Sequence, residues 1–476
     1  MGTHTKPAKR HPCKAVICAF RFGALALGGV CLLAVVAQAQ VPEQYPKPLL
    51  HTAVNHPAQH ILLVSVDGLH AFDLANYVTA HPRSALAVLS AKGVTYTNAH
   101  APWADPTAAF VSLMTGGTPI STGITATHSW DHSLSPAGSS CKSRGTLLSF
   151  DSAYTQDQAS LDPAHNCQPV PLYALLRVNT IFEVVHSKIG PTAWAGENFA
   201  TTDLLRGPLG AGLSEAVTNL ATDDERIKAV LGWINAKEPP VLFGLSLRSF
   251  FTSQSIDGYL GPAGTPSPGL TKALDALDVW MARLSAALAA SHLADSTWVV
   301  IVGPYGQSRL DPTRCRVIHQ PDVAATLAPI PVARVSGGDI ATIWLQNPTD
   351  TASAVRLLDA KAAALGIADI LSGPRLALIF NTPQQDPRAP DIVLQPDANT
   401  IYAPAGTTPI AAHGGLSDWD THVALLISGP GLTGRTDPTW VPTTQLGPLL
   451  LRALGMEKFD LDALHREHTP ALPGIF

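Results

Sequence analysis

Residues 61–66 read Ile-Leu-Leu-Val-Ser-Val and run directly into Asp67-Gly68. A nearly continuous apolar run of this length, closed by a turn pair, describes a strand covered on both faces. Strands of that kind belong to parallel sheets packed between helices. Similar runs recur at Pro240–Leu247, Trp298–Val302 and Val423–Ile427. Between the first two of these, Leu270, Leu274, Leu277, Met281, Leu284 and Leu288 advance in steps of four and three, the spacing of an amphipathic helix. Strand, helix and strand in alternation predict an α/β fold: a doubly wound, mostly parallel sheet flanked by helices.

Smaller elements fit the same scheme. Helices are expected over 83–92, 108–114, 222–237 and 443–454, a short strand over 94–96, and further core segments at Asn179–Val185 and Thr192–Ala195. The texture changes between about 312 and 411, where short strands (342–345, 376–380) and one Ala-rich helix (352–365) sit among many prolines. This stretch is expected to be a smaller inserted lobe, leaving 60–311 and 412–476 as the core. With 46% hydrophobic and only 14% charged residues, the chain has ample material for a large core and too little charge for extensive disorder.

The N-terminus has the pattern of a signal peptide. Lys6, Lys9, Arg10, Lys14 and Arg21 precede an apolar segment, Phe22–Val36, and Ala37-Gln38-Ala39 offers a small-residue cleavage site. Residues 1–39 are therefore expected to be removed, 40–59 to be a linker, and the mature protein to be periplasmic or secreted without a stable membrane anchor. The leader carries five basic residues and no acidic one, so its loss moves the formal net charge from −5 to −10. Nucleic acid polymers are excluded as partners on that balance. Cys141, Cys167 and Cys315 remain after cleavage. In an oxidising compartment, Cys141 and Cys167 can bridge a surface excursion over 133–171 that is rich in Ser, Asp, Gly and Pro, and the sequence leaves open whether they do. Oligomeric state is not encoded in any of these features.

Chemistry concentrates at two places. Asp67 presents a carboxylate at a strand end. Asp105-Pro106-Thr107 opens a helix whose free N–H groups and dipole favour an anion. Together they point to phosphate-ester chemistry. Several motifs occur in a familiar order: Val64-Ser65-Val66-Asp67-Gly68, Thr115-Gly116-Gly117-Thr118-Pro119 with Gly123-Ile124, Gly306-Gln307-Ser308, His413-Gly414-Gly415, and Ser428-Gly429-Pro430-Gly431. The chain resembles the type I phosphodiesterase / nucleotide pyrophosphatase branch of the alkaline phosphatase superfamily over about residues 58–476. It looks closest to a bacterial exported subgroup.

That resemblance implies an alkaline phosphatase-like fold and a two-metal phosphoryl-transfer site. Such a site uses one or two zinc ions, a hydroxyl nucleophile and a small phosphate-ester substrate. Carried over by position, Asp67 and His413 match metal ligands and Thr107 is the candidate nucleophile. His128 and Asp131, with His132, form a polar cluster where substrate is bound. His422 is a further candidate for the same cleft. The rest of the pattern departs from the family. Gly306 is preceded by Pro304-Tyr305 in place of Asp-His, so Tyr305 is expected to fill space left by a metal. The family's Asp-x-x-x-His pair should follow the strand at 240–247, where this chain reads Arg248-Ser249-Phe250-Phe251-Thr252. Counting back from Thr115-Gly116, the position of attack falls on Pro106, one residue before Thr107. One residue is about 100° around a helix. Hydrolysis of phosphoric esters is thus the family expectation, weak or lost in this member, with one or two zinc ions or none. The alternatives are a non-catalytic relative using the cleft for a ligand or partner, and a hydrolase with a rebuilt centre.

Overall fold

The computed structural model describes residues 57–476 apart from 152, 153, 262, 312, 405 and 408; the leader and most of the linker lie outside the described residues. The main sheet has nine strands: β1 (His60–Val66), β2 (Gly93–His100), β3 (Thr192–Ala195), β4 (Glu215–Val217), β5 (Leu242–Leu247), β6 (Thr297–Val302), β7 (His422–Ser428), β8 (Arg435–Asp437) and β9 (Val441–Pro442). Their lateral order is β8-β2-β7-β6-β1-β5-β3-β4, with β9 also paired to β2. Only β7 runs against the others.

β1 lies at the centre, and its neighbours explain its composition. Leu63 pairs with Val300 on one side and Gly244 on the other. Ile61 and Leu63 pack into one apolar layer with Phe110, Leu113 and Leu449, and Leu62 and Val64 into the opposite layer with Ile227, Leu274 and Leu277. A strand buried on both faces has no position for a polar alternation, which is why residues 61–64 are all apolar. Gly244 allows the tight approach of Trp194: a Cβ there would lie 2.1 Å from the Leu63 carbonyl and 2.6 Å from the Trp194 ring.

Five helices matter for the site: α1 (Pro106–Thr115), α2 (Asp223–Ile234), α3 (Ser249–Ile256), α4 (Pro268–Ala290) and α5 (Leu446–Ala453). α1 and α5 cover one face of the sheet, α2 and α4 the other. The 4-3 leucine stripe of α4 is fully buried, with Leu270, Leu274, Leu277, Met281, Leu284 and Leu288 all at most 3% exposed.

Residues 332–396 build a second, antiparallel sheet of four strands, Val332–Gly337, Ala341–Leu345, Ile392–Pro396 and Ile367–Ser372 in lateral order, with its own apolar core. Two sequence expectations fail here. Residues 376–380 are not a strand, because Gly373–Leu378 forms a 3-10 turn with Pro374 at its start. Leu376 and Phe380 are buried while Leu378 is 82% exposed, a pattern that cannot lie on one face of a strand. The Ala-rich helix also breaks, into Thr351–Asp359 and Ala362–Leu365. Ala354 and Leu358 from the first piece and Leu365 from the second still reach the same core.

Cys141 and Cys167 form a disulfide, and Cys315 is free. The bridge closes a stretch with a sequence separation of 26 that holds, among the described residues, the short strands Thr146–Ser149 and Leu161–Asp162 and a 3-10 turn, Gln156–Gln158. Replacing both cysteines with serine is expected to lower stability by about 3 kcal/mol, measured as a fall in the urea midpoint. An unchanged midpoint would show that the excursion is held by its other contacts.

Candidate functional site

Four neighbouring parallel strands, β6, β1, β5 and β3, end side by side. Beyond their carboxyl ends stand Tyr305, Asp67, Arg248 and Glu197, in that lateral order. This is the edge at which open α/β sheets receive ligands. All four line one cavity of about 400 Å³, together with Asp105, Thr107, Phe110, Thr127, His128, Phe150, Asp151, Phe251 and His413.

The turn after β1 is forced by Gly68, at φ +78°, where a Cβ would meet the Gln254 side-chain carbonyl at 2.1 Å. It holds Asp67 against the buried Tyr305, whose hydroxyl donates to the Asp67 carboxylate. Removal from water pushes the Asp67 carboxyl up to about 7, and the nearby Glu197 carboxylate adds to the rise against the opposing charge of Arg248. Burial, then the charge of Asp67, pushes the Tyr305 phenol well above its ordinary range, so it remains a donor. Arg248 bonds Glu197 at 2.7 Å and rests 5.0 Å from the Phe251 ring centroid. Burial brings His413 down to about 4, so its imidazole is neutral at pH 7, and its Nδ1 is buried without a hydrogen-bond partner. Its ring packs against those of Phe251 and Tyr305 at 5.4 and 5.7 Å.

α1 brings Thr107 to the same cavity, with Pro106 in its first turn and Asp105 as its N-cap. The Asp105 carboxylate accepts from the backbone N–H groups of Thr107 and Ala108, both at 3.1 Å, and from the N–H of Thr127 at 2.9 Å. The dipole end of α1 therefore already faces a carboxylate of this chain. Thr107 Oγ1 lies 3.0 Å from Thr127 Oγ1.

Of the residues expected from the sequence, Asp67, Thr107, His128 and His413 meet in this cavity. His128 bonds Asp151 at 2.8 Å. Asp131 is placed elsewhere, fully buried, accepting from Arg388 Nε at 2.6 Å and from the hydroxyl and N–H of Ser133. There it ties the 128–131 hairpin strand to the 386–391 segment rather than facing a ligand. His132 stands against Trp130, and His422 bonds the Thr97 carbonyl at 2.7 Å and stacks on His100, outside the cavity lining. Glu197 escaped the sequence reading altogether. Its one signal is its place two residues past a short buried strand.

The cavity fits a metal pair poorly. Among the described residues, no group of three or more His, Cys, Asp or Glu side chains is arranged to hold an ion. Asp67 and His413 are borderline-to-hard donors, but the positions beside them carry a guanidinium and a phenol. Zinc takes at least three protein ligands.

A model of the type I phosphodiesterase / nucleotide pyrophosphatase family matches residues 61–416, and the chain belongs to that family. The family is generally metal-dependent. No curated protein matches the chain in sequence. Among solved structures, murine ectonucleotide pyrophosphatase / phosphodiesterase 5 is similar at TM-score 0.60 and 16% identity, over 84% of this chain and 96% of that one. An inactive variant of the murine protein in complex with AMP gives 0.59 and 17%, over 85% and 99%. The human counterpart gives 0.58 and 18%, over the same shares. At such identities the likeness is one of fold.

The folded chain holds the Asp67 proton to about pH 7, whereas an unfolded chain releases it near 4. The resulting stability is complete below about pH 4 and is lost as pH rises through 7. Asp67→Asn is expected to flatten that loss and to raise stability at pH 8 by about 1–3 kcal/mol, measured by urea titration across pH. A variant no more stable than the parent at pH 8 would contradict the assignment.

Proposed function

We propose that this chain is an exported member of its family in which phosphoric ester hydrolysis is weak or lost, and that the cleft serves to bind a small molecule. One observation carries this reading: Arg248 and Tyr305 stand beside Asp67 at the strand ends, where a two-metal centre requires ligands. A guanidinium repels a dication, and a phenol that remains protonated donates to Asp67 instead of coordinating. Zinc, the family expectation, is accordingly not held.

The nucleophile lacks support as well. A threonine hydroxyl needs a base or a metal to attack phosphorus, and among the described residues the Thr107 hydroxyl bonds no base directly, only the hydroxyl of Thr127, which donates to Asp105. Export is supported by the basic, apolar and small-residue segments of residues 1–39. Among the described residues, no helix is long and apolar enough to cross a membrane. A rebuilt, metal-free hydrolase has one observation in its favour: His128, held by Asp151, lines the cleft with Thr107. It ranks second because Thr107 is bonded to Thr127 rather than to His128.

The test combines elemental analysis of the mature chain with turnover of bis-p-nitrophenyl phosphate and p-nitrophenyl phosphate. The expected result is less than one-tenth equivalent of zinc and no turnover that Thr107→Ala removes. Stoichiometric zinc with Thr107-dependent turnover would defeat the proposal, and metal-free turnover lost in His128→Ala would favour the rebuilt hydrolase.

A further inference from the structure

The family match leads one to expect a phosphate-ester ligand, but the charges in the cavity argue for the opposite sign. Its walls carry four carboxyl groups, those of Asp67, Asp105, Asp151 and Glu197, against the single guanidinium of Arg248. Arg248 is matched by Glu197 at 2.7 Å. The backbone N–H groups at the start of α1, which would otherwise greet a phosphate, are occupied by Asp105. Without dications, a phosphate dianion entering this cleft meets like charge and finds its usual donors taken.

What remains available is acceptor capacity and aromatic surface. A carboxylate offers about four lone-pair sites, and Asp67 receives the Tyr305 hydroxyl. The buried Nδ1 of His413 has no hydrogen-bond partner, and an imidazole can offer one acceptor nitrogen. The rings of Phe251, Tyr305 and His413 touch one another beside Asp67, with Phe251 and Tyr305 6.0 Å apart. Rings with a carboxylate in a partly dry cavity attract an organic cation. The volume, about 400 Å³, suits a ligand of modest size.

We propose that the cleft receives a small organic cation, an ammonium-bearing molecule, held in the cavity that the Asp67 carboxylate and the rings of Phe251, Tyr305 and His413 line together. This inference rests on the non-hydrolytic reading of the same site.

Isothermal titration calorimetry of the mature chain at pH 8 tests it, with benzylamine and tetramethylammonium as cationic probes and inorganic phosphate and AMP as anionic ones. The cationic probes are expected to bind, and the anionic ones to give no heat at ten times the concentration. Asp67→Asn should weaken benzylamine at least tenfold without lowering the thermal midpoint. Glu197→Gln, which releases the Arg248 charge, should weaken it severalfold. Benzylamine binding that is indifferent to Asp67→Asn, or no binding of either cationic probe, would overturn the proposal. Phosphate or AMP bound in place of the amines would overturn the ligand class while leaving the non-hydrolytic reading intact. Zinc-dependent diester turnover would remove that underlying reading, and this inference with it.

Discussion

The contact between the Tyr305 hydroxyl and the Asp67 carboxylate joins the ends of β6 and β1 at the centre of the main sheet. Everything else in the cleft is arranged around it. The parallel pairing of β6, β1, β5 and β3 brings four strand ends to one edge, and the identity of the residue beyond each end decides what that edge can do. A phenol and a guanidinium stand there with two carboxylates. The guanidinium supplies part of the positive charge that metal ions would supply in a two-metal centre, but as a fixed side chain paired to Glu197. That pairing leaves the Arg248 charge held by a carboxylate of the same cleft.

Retention of the fold alongside such substitutions has a physical basis. The core depends on apolar layers that cover both faces of the sheet, from Ile61 and Leu63 on one side to Leu274 and Leu277 on the other. Tyr305, Asp67, Arg248 and Glu197 belong to neither layer. Tyr305 packs with Ala104 and Ala109 in a small cluster of its own, so it shapes the cleft and leaves those layers intact. Asp67 carries a local cost of its own, since removal from water raises its carboxyl to about 7.

Much of the architecture was legible in the chain because its signals are periodic. β1 and α4 were apparent from an unbroken apolar run and a 4-3 leucine stripe, and both depend on burial that the pattern itself records. Residues 376–380 were misread because a 3-10 turn can bury Leu376 and Phe380 while exposing Leu378, and short apolar segments do not separate those cases. In the cleft, Asp67, Thr107, His128 and His413 were recognisable by their place in ordered motifs, whereas Asp131 was not separable from them. Its neighbours in sequence place it near the cleft, and only its distant pairing with Arg388 removes it. The Arg248–Glu197 pair spans 51 positions and follows no local spacing, so only the lateral order of the strands reveals it.

Arg248 and Tyr305 stand beside Asp67 where metal ligation would be needed, and the exclusion of zinc proposed from this is open to direct measurement. It is tested most directly by anomalous diffraction at the zinc absorption edge, from crystals of the mature chain grown with millimolar zinc chloride. No anomalous peak is expected within coordination distance, about 2.0–2.2 Å, of the Asp67 carboxylate or the His413 imidazole, with Tyr305 still bonded to Asp67. A peak bridging Asp67 and His413, with Tyr305 or Arg248 swung aside, would contradict it.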